Sequence, residues 1–186
     1  MKTLFLAFII AFGANSAYSQ VMDCEDYACD STAVRAVLHH NEILAFMSTI
    51  TEANTVTGVK RIYKLSLAEK GITSLPPEIG NLNALEQLLL PKNELTDFPP
   101  EFSKLQSLEL LSIQFNKFSK IPMPITDIQS LRFLLMTENE ITDVPPEIGN
   151  LINLSDLDLG RNMIKTLPSE IGNLVNLGDL TVPNNE

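Results

Sequence analysis

From Ile62 onward, apolar and polar positions recur with a period of 23 residues, and the offset never slips. Copies of the pattern begin at Ile62, Leu85, Leu108, Leu131, Leu154 and Leu177. Within a complete copy, apolar residues hold the first, fourth, sixth and eleventh places, as in Leu131, Leu134, Met136 and Ile141. Period two at places four to six predicts a short strand, with Leu65 and Leu67 inward and Ser66 outward. Apolar residues recur at the fourteenth, eighteenth and twenty-first places, and proline fills the fifteenth (Pro76, Pro99, Pro122, Pro145, Pro168). Proline bars strand continuation, and Pro145-Pro146-Glu147-Ile148-Gly149-Asn150-Leu151 suits a helical turn closed by its glycine. One such unit cannot bury its apolar face alone, so copies must stack. Strands then run in parallel on one side, with helical turns on the other.

The ninth place holds Asn93, Asn116, Asn139, Asn162 and Asn185, but Lys70 in the first copy. A buried carboxamide can bond backbone groups that the bend leaves unpaired, so a structural ladder is expected here, not a ligand site. The pattern LxxLxLxxNxaxxaPxxaxxaxx resembles the leucine-rich repeat family over about two-thirds of the chain. The 23-residue version with Leu-Pro-Pro-Glu-Ile-Gly-Asn-Leu (Leu75 to Leu82) is similar to Ras-binding repeat proteins, plant intracellular repeat proteins and many secreted bacterial ones. The resemblance implies an α/β fold: a curved leucine-rich-repeat solenoid whose concave strand face recognises proteins or peptides. Two departures stand out. Lys70-Gly71 replaces the usual asparagine in copy one, and copy six stops after its tenth place.

Lys2, the apolar run Leu4 to Phe12 and Ala17-Tyr18-Ser19 together read as a secretory signal peptide over residues 1–19. The run is too short for a comfortable membrane span. Export to a secreted, periplasmic or cell-surface location is therefore expected, which disfavours a cytosolic Ras-type partner. Residues 20–61 are expected to form an N-terminal cap, with the repeats occupying 62–186. Cys24 and Cys29 are the only cysteines, and an oxidising compartment predicts a disulfide between them. Asp30-Ser31-Thr32 supplies N-cap chemistry for a helix over about residues 31–40, with Ala33, Val34, Val37 and Leu38 on one face. Asp-Ser-x-Ala-x-Arg-Ala-x-Leu (Asp30 to Leu38) is similar to the N-cap of secreted bacterial repeat proteins. His39 and His40 point about 100° apart on such a helix, so they cannot converge on one metal ion.

The net charge of −10 becomes −11 once Lys2 leaves with the signal peptide. So acidic a chain repels nucleic acid and anionic membrane surfaces and favours basic partners. No phosphate loop, zincin motif or nucleophile elbow occurs, and neither a cofactor nor a metal is expected. An enzyme is therefore not expected. Asn153-Leu154-Ser155 forms a glycosylation sequon at a strand start, where access is poor.

Function is then to be read from the outward strand places: second, third, fifth, seventh and eighth. Leu89, Leu110, Phe115, Phe133 and Leu135 make the middle of the face apolar, and Asp156, Asp158 and Asp179 lie beside them. An apolar centre with a charged border is the anatomy of a protein-binding hot spot. Arg132 and Arg161 are expected to neutralise the aspartates. The expected function is an exported module that binds a protein or peptide, with a basic segment if the acidic border is used. The alternative is a secreted inhibitor or adhesin component acting on extracellular carbohydrate-active enzymes or glycans. Copy six would leave a strand edge and an apolar end uncovered, blunted by Pro183 and Asp179, and a monomer is expected.

Overall fold

The computed structural model describes residues 27–41, 51–56 and 59–185, with backbone alone for 27–29, 31 and 51–60. The expected signal peptide and the Cys24–Cys29 pairing lie outside the described side chains. Helix α1 (Tyr27–His40) precedes β1 (Thr51–Val56) and β2 (Val59–Ser66). Strands β3 (Gln87–Leu89), β4 (Leu110–Ser112), β5 (Phe133–Leu135), β6 (Asp156–Asp158) and β7 (Asp179–Thr181) follow. All seven lie in one sheet in chain order, with β1 antiparallel to β2 and β2 to β7 parallel. Each repeat returns through a short turn opposite the sheet. Pro77–Asn81, Pro100–Lys104, Pro146–Asn150 and Ser169–Asn173 are 3-10 turns, while Met123–Thr126 is one α-helical turn. The chain is thus an α/β leucine-rich-repeat solenoid with its sheet on the concave side.

The 23-residue offset is built into the hydrogen bonds. Strands β3 to β7 occupy the third to fifth places, and equivalent residues face each other, as Leu88, Leu111, Leu134 and Leu157 do. First- and fourth-place side chains such as Leu85, Leu108, Leu131 and Leu134 are fully buried. Past the strand, the eighth residue of every copy is left-handed, from Glu69 (φ 57°) to Asn184 (φ 55°). Its N–H donates to the seventh-place carbonyl of the next copy, as Lys92 does to Gln114 at 2.9 Å and Glu138 to Gly160 at 3.0 Å. The chain can therefore leave the sheet without breaking the ladder.

The ninth-place asparagines fill the bend behind it. Asn116 Oδ1 accepts from Leu95 N–H at 3.0 Å, and its Nδ2 donates to the carbonyls of Leu90 and Ile113, both at 3.0 Å. Asn93, Asn139, Asn162 and Asn185 repeat these bonds. A second polar ladder, unforeseen from the sequence, runs along the twenty-third place. There Ser107 Oγ donates to Asn83 O at 2.7 Å, Asn153 Nδ2 to Gln129 O at 2.8 Å and Asn176 Nδ2 to Ile152 O at 2.7 Å.

The glycine of the turn phrase, expected from the sequence to close the turn, does not do so. Only Gly71 among the described glycines has positive φ. Gly149 is instead required by stacking: a Cβ there would meet the Glu170 carbonyl oxygen of the next turn at 2.8 Å.

The cap differs from expectation in two respects. The chain is already helical at Tyr27, so Asp30 lies inside α1 and does not cap it. The stretch before the repeats, expected to be irregular and partly strand-like, pairs over residues 51–66 as a β1–β2 hairpin, and β2 runs through the expected boundary at residue 61. Asp30 has a different task. The first-place N–H of each later copy donates to the twenty-first-place carbonyl of the copy before, as Leu85 does to Leu82 and Leu108 to Leu105. No copy precedes Ile62, and its N–H donates instead to Asp30 Oδ2 at 2.7 Å. Arg61 compensates the buried charge through Nε at 3.0 Å and Nη2 at 2.9 Å, and Nη2 also bonds Asn83 Oδ1. At the helix end, Asn41 Nδ2 donates to Val37 O at 2.9 Å and Ser74 O at 3.0 Å. Ala33, Val34, Val37 and Leu38 are buried, so α1 closes the apolar end of the first copy.

Two stability predictions follow from these contacts. Arg61→Leu leaves the Asp30 carboxylate buried and unpaired, which should cost about 3–5 kcal/mol in denaturant unfolding. A variant as stable as the parent would show that Ile62 N–H alone satisfies Asp30. The Thr137 hydroxyl is buried without a hydrogen-bond partner. Thr137→Val keeps the shape and removes an unsatisfied group, so the melting temperature should hold or rise. A loss of more than about 1 kcal/mol would mean that the hydroxyl has a partner in solution.

Candidate functional site

The strand register turns the outward residues into rows that cross the sheet. The third-place row reads Lys64, Gln87, Leu110, Phe133, Asp156, Asp179, each opposite the next. The fifth-place row reads Ser66, Leu89, Ser112, Leu135, Asp158, Thr181. Leu110 and Phe133 are therefore direct neighbours, both half-buried. Leu89 and Leu135 are not, because the small, buried Ser112 stands between them and bonds Gln114 Oε1 at 3.1 Å. Phe133 and Leu135 lie two residues apart on one strand, so they share its outward face.

Phe115 stands apart, at the left-handed corner (φ 55°) where β4 leaves the sheet, and 46% exposed. A bulky aromatic with positive φ is an outlier worth roughly 1–3 kcal/mol of strain. Its row along the solenoid holds two ion pairs, Lys92–Glu69 at 2.6 Å and Arg161–Glu138, one on either side. The Lys92 hydrogen bond, then its charge, holds the Glu69 carboxyl below the usual range. The left-handed turn of the eighth place is the feature that sequence reasoning missed. A conformation shared by Glu, Lys, Phe, Arg and Asn leaves no residue-type signal.

The acidic border differs from the expected neutralised face. Arg161 pairs with Glu138 in its own row, and Arg132 lies over the Phe133 ring, 6.0 Å from the centroid. That distance allows a cation–π attraction. No described cation forms an ion pair with Asp156, Asp158 or Asp179. Asp158 Oδ1 accepts from Gly160 N–H at 3.0 Å. Burial, followed by the charges of Asp179 and Asp158, pushes the Asp156 carboxyl above its ordinary value. Among the described residues, no group of three or more His, Cys, Asp or Glu is arranged to hold a metal ion. Nor is any described helix long and apolar enough to cross a membrane.

Chemically, this face offers an apolar pair beside a negative strip that no described cation pairs with. The Leucine rich repeat patterns match residues 60–118 and 153–174. Among solved structures, the ectodomain of the receptor kinase SOBIR1 from Arabidopsis thaliana superposes with a TM-score of 0.68 at 24% identity, covering 86% of this chain and 97% of that one. A leucine-rich-repeat protein of Leptospira interrogans is 39% identical, with a TM-score of 0.60, over 61% of this chain and 29% of its own. A plant peptide hormone receptor, solved in complex with RGF2, is 29% identical, with a TM-score of 0.55, over 65% of this chain and 19% of its own. Comparison with curated proteins returns no match. The 23-residue ladder, the ninth-place asparagines and these matches agree that the chain is a leucine-rich repeat protein.

Proposed function

We propose that this chain is a binding module that docks a protein or peptide on its concave sheet face, centred on Leu110 and Phe133. One observation carries the reading: two large apolar side chains sit in direct register on an open sheet, beside carboxylates that no described cation pairs with. An apolar centre with a charged border is how protein hot spots are built. The plant peptide hormone receptor of similar fold, solved in complex with RGF2, supports the class of partner. Exposed Phe115, held in an unfavourable backbone conformation, extends the apolar surface toward the rim. Asp156, Asp158 and Asp179 favour a partner with a basic segment. The apolar run Leu4 to Phe12 before Ala17-Tyr18-Ser19 supports export, and with it a Cys24–Cys29 disulfide.

Partners captured from an extracellular fraction on the immobilised chain would be identified, then titrated against variants. Phe133→Ala should weaken binding by about 2 kcal/mol, or roughly thirtyfold in Kd, with the unfolding transition retained. Glu147→Ala, on the turn side, should leave Kd unchanged. Unchanged binding after Phe133→Ala would remove the apolar pair as the docking centre. Recovery of polysaccharide instead of protein would move the reading to glycan recognition.

A further inference from the structure

Both rows of the sheet change character at the same step. From β5 to β6, the third place passes from Phe133 to Asp156 and the fifth from Leu135 to Asp158. The third row stays acidic at Asp179 on β7. A segment lying along one strand would meet either apolar or acidic side chains. Only a segment crossing the strands meets both. Strands lie about 4.8 Å apart, which puts Asp156 roughly 7 Å from the midpoint of Leu110 and Phe133. Alternate residues of an extended chain are separated by about 6.7 Å and point the same way. The two spacings agree.

The charge on this step is free to be answered by a partner. Arg161 is held by Glu138 and Arg132 stays over Phe133, so neither forms an ion pair with the aspartates. Asp156 is partly withdrawn from solvent, which strengthens its attraction for a cation relative to an exposed carboxylate. Asp179 lies about 12 Å from the same midpoint, near the place of the fourth residue along an extended segment.

We infer that the partner contributes an extended segment crossing β4 to β6, with an apolar side chain over Leu110 and Phe133 and a lysine or arginine two residues away over Asp156 and Asp158. This rests on the docking reading above. A second basic residue two further on meets Asp179. Because the Asp156 carboxyl titrates above its ordinary value, it is the group whose protonation removes the attraction as pH falls. The charged groups around it are Asp158 on its own strand, Asp179 on β7, and Arg132 and Glu138 at the two ends of β5.

The test uses fluorescein-labelled synthetic peptides and the purified chain. The probes are Gly-Phe-Ser-Arg-Ser-Arg-Gly, its reverse sequence, and analogues of both with glutamine for each arginine. One of the two directions should bind about tenfold tighter than its glutamine analogue at low salt. Asp156→Asn or Asp158→Asn, each with its unfolding transition intact, should reduce that preference while leaving the glutamine peptide unaffected. Lowering the pH from about 7 to about 4.5 should weaken the arginine peptide selectively, since the ionised carboxylate is the binding form. Equal affinity for arginine and glutamine peptides, no binding of either, or a preference surviving both aspartate variants would overturn the inference. Phe133→Ala separates the two readings. If it weakens arginine and glutamine peptides alike while no charge preference exists, docking stands and the basic partner falls. If it changes no peptide's binding, docking at this pair falls as well.

Discussion

The constraint on which this molecule depends is that no repeat can satisfy its own backbone. A chain that bends sharply every few residues buries N–H and carbonyl groups that no regular helix or long strand will pair. Here those groups find partners 21 to 26 residues away, in the neighbouring copy. The ninth-place asparagine is central because one carboxamide serves both copies. Asn139 Oδ1 accepts from Phe118 N–H of the copy before, and its Nδ2 donates back to Ile113 and within its own copy to Met136. The same logic explains the departure at Lys70. An asparagine there would reach for the sixth- and eleventh-place groups of a preceding copy, and none exists. The position is exposed, its N–H donates to Asn93, and lysine is tolerated.

A stacked fold must also solve the problem of its first unit. The missing twenty-first-place carbonyl before Ile62 is replaced by the Asp30 carboxylate, carried on α1. A charged substitute for a neutral carbonyl must itself be compensated, and Arg61, one residue before Ile62, does so in bidentate fashion. A buried ion pair is weak evidence for net stability. Its main effect is on register, since helix, hairpin and first repeat must meet at one geometry for four hydrogen bonds to form. Asn41 and His40 tie the other end of α1 to Ser74, ahead of the first copy's turn.

The repeat register, the inward leucines and the asparagine ladder were legible because each depends on periodicity, which a single sequence displays. What escaped depended on contacts between distant segments. The hairpin was hidden because Thr51–Val56 is largely polar and joins the sheet only at its antiparallel edge. Asp30 looked like a helix cap because Asp-Ser-Thr is good cap chemistry locally, and only the position of Arg61 in space reassigns it. The site was half legible. Residue places put Leu110 beside Phe133 and Asp156 beside Asp179. They also put Ser112 between Leu89 and Leu135, but could not show that the eighth place turns away from the strand.

The functional consequence lies in that eighth place. A left-handed corner is imposed on every copy by the ladder, whatever residue occupies it, so the scaffold bears the strain and the side chain is left to other uses. Four of its six occupants form ion pairs along the solenoid, Lys92 with Glu69 and Arg161 with Glu138. Those pairs hold Arg161 in its own row and away from the aspartates. No described cation forms an ion pair with Asp156, Asp158 or Asp179, so the strip on β6 and β7 keeps its negative charge. Apolar side chains over β4 and β5 and acidic ones over β6 and β7 give the face a direction, and a partner that reads both must lie across the strands.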